Sequence, residues 1–155
     1  MIRKLKPSEK KEWEKLFKGY ADFYKTPINN KILITVWHWL FDKNHVVNGI
    51  CYEIEGKIVG IAHYRTMPRP LKGEYIGFLD DLFVNPDFRG KKIGKKLIES
   101  LKNMAKSNNW EVIRWITSSD NKTAKKLYDK IANNKGFDLY ETTGNQISDK
   151  SMEIS

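Results

Sequence analysis

The sequence predicts an α/β domain whose central sheet is mixed but largely antiparallel, with helices flanking it. Three observations carry this. Before Ile50 apolar residues recur three or four apart; between Ile50 and Val84 the pattern shortens to extended segments divided by turn residues; after Gly90 helix-spaced and strand-like segments alternate.

Residues 2–6 are expected as a short strand stopped by Pro7, with Ser8 capping the helix that follows. Trp13, Leu16, Phe17, Tyr20 and Tyr24 form one stripe of that helix, and most of these aromatics are expected in the core. Residues 32–41 fit a strand by their β-branched side chains and a helix by length and by the spacing of Ile32, Val36 and Leu40; we read them as a helix. Residues 50–54 and 57–65 are expected as strands joined at the hairpin turn Glu55-Gly56, and residues 75–84 as a third, ended by Asn85-Pro86. Residues 90–108 read as a helix with Ile93, Leu97, Leu101 and Met104 inward and the lysines outward. A buried strand is expected over 110–117. Asn121 then opens a helix with Ala124, Leu127, Tyr128, Ile131 and Ala132 on one stripe. Gly136 ends it before a strand over 137–142, and a last strand is expected near 151–155. No repeat or linker interrupts the chain, so residues 1–155 are expected to form one domain.

With 155 residues and 40% hydrophobic content the composition is that of an ordinary globular protein. A chain of this length buries roughly 70% of its unfolded surface and needs no staple. Cys51 stands alone, so neither an intrachain disulfide nor a Cys-rich zinc site can form. The first residues lack the apolar core of a secretion signal, and the nearly apolar run 32–41 falls short of the roughly 20 residues that span a bilayer. A soluble, cytoplasmic protein is expected.

The net charge of +9 is unevenly spread, because residues 89–106 alone carry seven basic groups and one acidic group. Such a block attracts a polyanion: nucleic acid, an acidic membrane face or a phosphorylated cofactor. A solvated helix face would have the same charge.

That block begins where a strand meets a helix, in FLDDLFVNPDFRGKKIGKKLIE over residues 78–99. The unpaired backbone N–H groups of a helix start, with the helix dipole, make a phosphate site, and Gly90 and Gly94 leave a ligand free to approach the backbone. The glycine spacing matches neither the dinucleotide nor the nucleoside-triphosphate fingerprint. RGKKIG does resemble the acetyl-coenzyme A motif of the GNAT N-acetyltransferase superfamily, Arg/Gln-x-x-Gly-x-Gly/Ala. Arg89 and Gly94 take their places in it. Lys92 stands where the motif has its middle glycine, so the backbone there is expected to keep a conformation that a residue with a Cβ tolerates, Lys92 still offering its amide and adding charge. LDDLFV over 79–84 resembles the acidic strand of diamine-type members. Residues 115–141 resemble the family's closing unit, N-x-x-A-x-x-L-Y-D followed by GF. The likeness covers residues 50–141; before that, only element order and the aromatic GYADFY segment match.

The resemblance implies a single N-acetyltransferase domain that moves an acetyl group from acetyl-CoA to a primary amine by direct attack in a ternary complex. The acceptor it implies is a small cationic amine, a polyamine or amino acid, with protein or peptide amines as the alternative, and it implies a homodimer. Leu82, Phe83, Val84, Arg89, Gly90, Lys91, Lys92, Ile93, Gly94 and Lys95 are the implied cofactor contacts, with a backbone N–H near Leu82 for the oxyanion. Asn121 is implied for the pantetheine arm or for capping its helix, and the two roles are compatible.

The chemistry makes its own demand. An ammonium near pKa 10.4 is mostly protonated at pH 7, and uncovering its lone pair costs about 4.6 kcal/mol. A base is required, and Asp80 or Asp81 can supply it. Adjacent strand residues point to opposite faces, so only one is expected at the substrate; the motif favours Asp80, leaving Asp81 as alternative or structural acceptor. Tyr128, at the family's tyrosine position, is the implied general acid for the departing thiolate, although its apolar stripe also fits a core tyrosine.

His38, His45 and His63 lack metal-site spacing, and Cys51 has no identifiable base beside it. A non-enzymatic nucleic-acid-binding domain is the competing class, motivated by the charge and the aromatics. No recognised nucleic-acid motif supports it, and one phosphate-rich cofactor accounts for the basic block. No nucleic acid, membrane or metal partner is expected.

Overall fold

A two-residue turn sets the register of the sheet. In the computed structural model, which describes residues 1–145, Glu55 and Gly56 both take positive φ, 50° and 79°, and fold β2 (Val47–Ile54) back on β3 (Lys57–Arg69). This is the hairpin the sequence predicts; left-handed backbone at both turn positions matches the twist of the strands it joins. β1 (Ile2–Lys4) pairs with β2, and β4 (Glu74–Val84) with β3, all antiparallel. β5 (Trp110–Trp115) adds to β4 in parallel, giving the order β1-β2-β3-β4-β5. The sheet is mixed and mostly antiparallel, as expected.

Helices α1 (Lys10–Phe23) and α2 (Asn30–Phe41) cover one face. There Trp13, Leu16, Leu33 and Trp37 pack with Cys51, Ile61 and Phe83 into one core. α2 settles the ambiguous segment as a helix, begun by the Asn29 side chain accepting from the Ile32 N–H at 2.9 Å. α3 (Ile93–Met104) covers the other face with Ile93, Leu97, Ile98 and Leu101 buried. The stripe on α1 is only partly core: Trp13 and Leu16 are buried, Phe17 and Tyr20 half-buried, and Tyr24, past the helix end, is exposed. α1 can press on the sheet because Gly19 has no side chain; a Cβ there would stand 2.8 Å from Cζ of Phe83.

Three expectations need correction. Ser8 caps nothing. Pro7–Glu9 is a single 3-10 turn in which the Glu9 carboxylate accepts the Lys6 N–H at 2.7 Å and both terminal nitrogens of Arg3, at 2.9 and 2.7 Å. A charged acceptor three residues on outcompetes a hydroxyl. The basic helix starts at Ile93 rather than Gly90, because Gly90 (φ 84°) and Lys92 (φ 60°) are left-handed. Residues 137–142 form no strand: Phe137, Leu139 and Tyr140 are 86, 73 and 89% exposed. Alternation supplies a face, but a strand also needs a ladder partner, and none pairs with it among the described residues. The strand expected near 151–155 lies outside the described residues.

The chain divides into two compact units, Met1–Ser118 and a second from Ser119. In the second, α4 (Lys122–Ile131) opens with Asn121 accepting from the Ala124 N–H at 3.3 Å, and the predicted stripe of Ala124, Leu127, Tyr128, Ile131 and Ala132 is half-buried. Among the described residues no helix is long and apolar enough to cross a membrane.

Candidate active site

One extra residue in β4 builds the site. His63 stands opposite Asp81 in the β3–β4 ladder and Tyr64 opposite Leu79, so Asp80 is the unpaired residue of a β-bulge. The bulge overturns the expectation that Asp80 and Asp81 face opposite ways. His63 Nδ1 lies 2.8 Å from Asp81 Oδ2, while Arg65 Nε donates to Asp80 Oδ1 and Oδ2 at 3.2 and 3.1 Å. His63 and Arg65 are two apart on β3, hence on one face, and they draw both carboxylates to it. That face is the one α1 covers: Tyr20, from the aromatic GYADFY segment, donates its hydroxyl to the Asp80 carbonyl at 3.4 Å.

The two carboxylates live in different surroundings. Burial pushes the Asp80 carboxyl above the usual carboxylate range; Arg65 opposes this and neighbouring Asp81 reinforces it. Asp81 is held by a histidine that is only 2% exposed. His63 Nε2 receives the Trp13 indole N–H at 2.9 Å, and the Phe17 ring meets the imidazole edge-on at 5.0 Å.

Beyond the bulge the sheet opens. β5 pairs with β4 only between Tyr75 and Leu79, so residues 80–84 have β3 on one side and no strand on the other among the described residues. Backbone N–H groups alternate across a strand, and those directed away from β3 have no ladder there. Leu82 and Val84 flank Gly94 of α3, where a Cβ would stand 3.8 and 4.0 Å from their side chains, while Phe83 turns into the core beside Tyr20.

The loop into α3 exposes main chain. The Asn85 side chain accepts the Asp87 N–H at 3.0 Å, and the Pro86–Phe88 3-10 turn leads to Arg89, whose guanidinium rests 5.8 Å over the Phe83 ring. The first helical bond of the turn runs from the Lys96 N–H to the Lys92 carbonyl at 3.0 Å, which leaves the amides of Ile93, Gly94 and Lys95 without intrahelical acceptors. A Cβ on Gly90 would meet nothing within 4 Å. These glycines keep backbone uncovered rather than relieve crowding inside the chain, which fits a diphosphate laid against it. Lys92 corrects an expectation: at φ 60° it holds the left-handed geometry that suits the motif's glycine, at a cost of roughly 1–2 kcal/mol for a residue with a Cβ.

Of the expected site residues, Asp80, Asp81, Leu82, Phe83 and Val84 lie on β4, and Arg89, Gly90, Lys91, Lys92, Ile93, Gly94 and Lys95 at the start of α3. Asn121 and Tyr128 belong to the second unit, on α4 and its cap. Sequence reasoning missed Trp13, His63 and Arg65; the alternation of His63 and Arg65 on one strand was visible, but the partners opposite them were hidden by the bulge. Cys51 is fully buried, and burial pushes its thiol up to about 11, which suits packing and not nucleophilic attack. A surface hollow of about 510 Å³ beside Pro7 and the end of α2 contains none of the charged site groups. Among the described residues no cluster of three or more His, Cys, Asp or Glu side chains could hold a metal.

Known proteins share the family and the fold. D-amino-acid N-acetyltransferase HPA3 of Saccharomyces cerevisiae is 28% identical over 146 residues, covering 93% of this chain and 91% of that protein. The fold matches the crystal structure of ribosomal-protein-alanine N-acetyltransferase from Brucella melitensis biovar Abortus 2308 with a TM-score of 0.77, 24% identity, and 92 and 97% of the two chains covered. It matches aminoglycoside N-acetyltransferase AAC(6')-Iy, crystallised with CoA, with a TM-score of 0.81 at 16% identity, covering 93 and 94%. The sequence profile of the Acetyltransferase (GNAT) family matches residues 13–132, the bulged strand and basic helix included; the chain belongs to that family and is an N-acetyltransferase.

Proposed function

We propose that the chain transfers the acetyl group of acetyl-CoA to the primary amine of a small cationic acceptor, an amino acid or a polyamine, by direct attack, with Asp80 as the base. The observation that carries this is the bulge: it sets a half-buried carboxylate of raised proton affinity beside a second carboxylate, at the mouth of the opened sheet. A base with a pKa drawn towards neutrality transfers protons more effectively at pH 7 than an ordinary aspartate, and two carboxylates against one arginine leave an excess of negative charge for an ammonium. The relatives' names support the acceptor class: one acts on D-amino acids, another on aminoglycosides, and both kinds of acceptor carry an ammonium group.

In this reading Arg89, Lys91, Lys92 and Lys95, with the amides from Gly90 to Lys95, take the diphosphate. The Leu82 amide serves the oxyanion where β5 has left β4. Tyr128 protonates the departing thiolate and Asn121 meets the pantetheine arm; both roles rest on the family resemblance, as do a homodimer and a cytoplasmic location. The family match spans the boundary between the two units, which supports taking residues 1–155 as one N-acetyltransferase domain.

The test is release of free coenzyme thiol from acetyl-CoA with a panel of amino acids, polyamines and a lysine peptide. Turnover with a small amine and none with the peptide supports the reading; turnover with the peptide alone contradicts it.

A further inference from the structure

We propose that Trp13 and His63 are positioning residues: the relay from the Trp13 indole N–H through the His63 imidazole to Asp81 holds that carboxylate as a fixed anion, and so leaves Asp80 as the carboxylate that takes the acceptor's proton. The proposal rests on the reading of Asp80 as the base.

The directions of the hydrogen bonds carry it. An indole nitrogen only donates, so at 2.9 Å from Trp13 Nε1 the Nε2 of His63 must present its lone pair. The ring proton therefore sits on Nδ1 and is donated to Asp81 Oδ2 at 2.8 Å. The other tautomer would set Nε2–H against the indole N–H, donor against donor, and turning the ring over would set carbons against both partners. The site is dry enough to enforce this: His63 and Trp13 are among the most deeply buried side chains, and Phe17 packs edge-on against the imidazole.

Two neighbouring carboxylates do not both take a proton equally. The one whose surroundings favour its charge more ionises first, and its charge raises the proton affinity of the other. Here the His63 N–H supports the charge of Asp81, while at Asp80 burial outweighs what Arg65 offers. The other groups facing the pair are Arg65 from β3, bound to Asp80, and the Tyr20 hydroxyl from α1, which donates to the Asp80 carbonyl. Without the imidazole donor Asp81 loses the group that supports its charge, it competes with Asp80 for a proton, and the doubly ionised pair needs a higher pH to form.

The experiment measures pH profiles of kcat/KM, and thermal melts, for wild type, His63→Phe, His63→Asn, Trp13→Phe and Asp80→Asn. Asparagine can set its amide N–H close to where Nδ1–H stood. The proposal expects the acid limb to move up by about one pH unit in His63→Phe and to return in His63→Asn, although both lose the Trp13 bond. It also expects nitrogen NMR of the wild type to show His63 as the Nδ1–H tautomer, a preference lost in Trp13→Phe. An unmoved limb in a folded His63→Phe, equal shifts in the Phe and Asn variants, or an Nε2–H tautomer in the wild type would overturn it. Asp80→Asn separates the two ideas: if it retains full turnover, the reading of Asp80 as base fails and the relay's role fails with it; if it is inactive while His63→Phe keeps the wild-type profile, the relay alone is wrong.

Discussion

Arg65 Nε sits between the two carboxylate oxygens of Asp80, at 3.1 and 3.2 Å, while its guanidinium carbon lies 4.9 Å over the ring of Phe78. The arginine is thus held from two sides and offsets part of what burial does to Asp80. Arg65→Gln removes the opposing charge, so the Asp80 carboxyl rises further and the acid limb of kcat/KM moves to higher pH, by about one unit. Initial rates between pH 5 and 9 check this; an unchanged limb contradicts it.

The same balance has a signature in stability. Asp80 keeps its proton more readily in the folded chain than unfolded, so the stability it contributes is full below the unfolded pKa and is lost as the pH rises through the folded value. Asp80→Asn cannot ionise and escapes that loss. Melting temperatures at pH 8 are expected to be at least those of wild type even though Arg65 loses its partner, with Asn gaining relative to wild type as the pH rises. A variant that falls progressively behind over the same range opposes the account.

Glu9 has the opposite sign. Its bond to Arg3, supported by the Lys6 amide, holds its carboxyl below the usual range, so its contribution is present above the unfolded pKa and lost as the pH falls through the folded one. Glu9 is 7% exposed and joins β1 to the first turn, while Arg3 also reaches Glu53 on β2 at 2.9 Å. Glu9→Gln is expected to lose about 3 kcal/mol in urea unfolding at pH 7 and clearly less at pH 3. Equal losses at both would show that charge is not what matters.

Lys92 offers a test of backbone strain. Glycine at φ 60° removes the Cβ penalty and regains less than that in unfolded-state entropy, so Lys92→Gly is expected to stabilise by up to about 1 kcal/mol. Lys92→Val, branched at Cβ, goes the other way. Paired melts decide; a valine variant as stable as the glycine one refutes the argument.

Most of the architecture was legible in the chain because periodicity is a local property. The Glu55-Gly56 turn, the α3 stripe and the Asn121 cap all stand where residue chemistry puts them. What stayed hidden depends on pairing. LDDL breaks strict alternation, but nothing in those four letters says which aspartate is a surplus residue; that follows only from where β3 lies. For the same reason His63 reads as one more interior residue of β3 until Asp81 stands opposite it. Residues 137–142 fail in the reverse direction: they have a strand's alternation and no partner.

The centre of the account is that the bulged Asp80 takes the proton of a small cationic amine. The pH profile of kcat/KM for acetyl-CoA-dependent thiol release, wild type against Asp80→Asn, tests this most directly. The account predicts a wild-type profile that rises through an ionisation above the usual carboxylate range, and a variant slower by 10²–10⁴ in which that ionisation is gone. An Asp80→Asn enzyme with the wild-type rate and the same acid limb would contradict it.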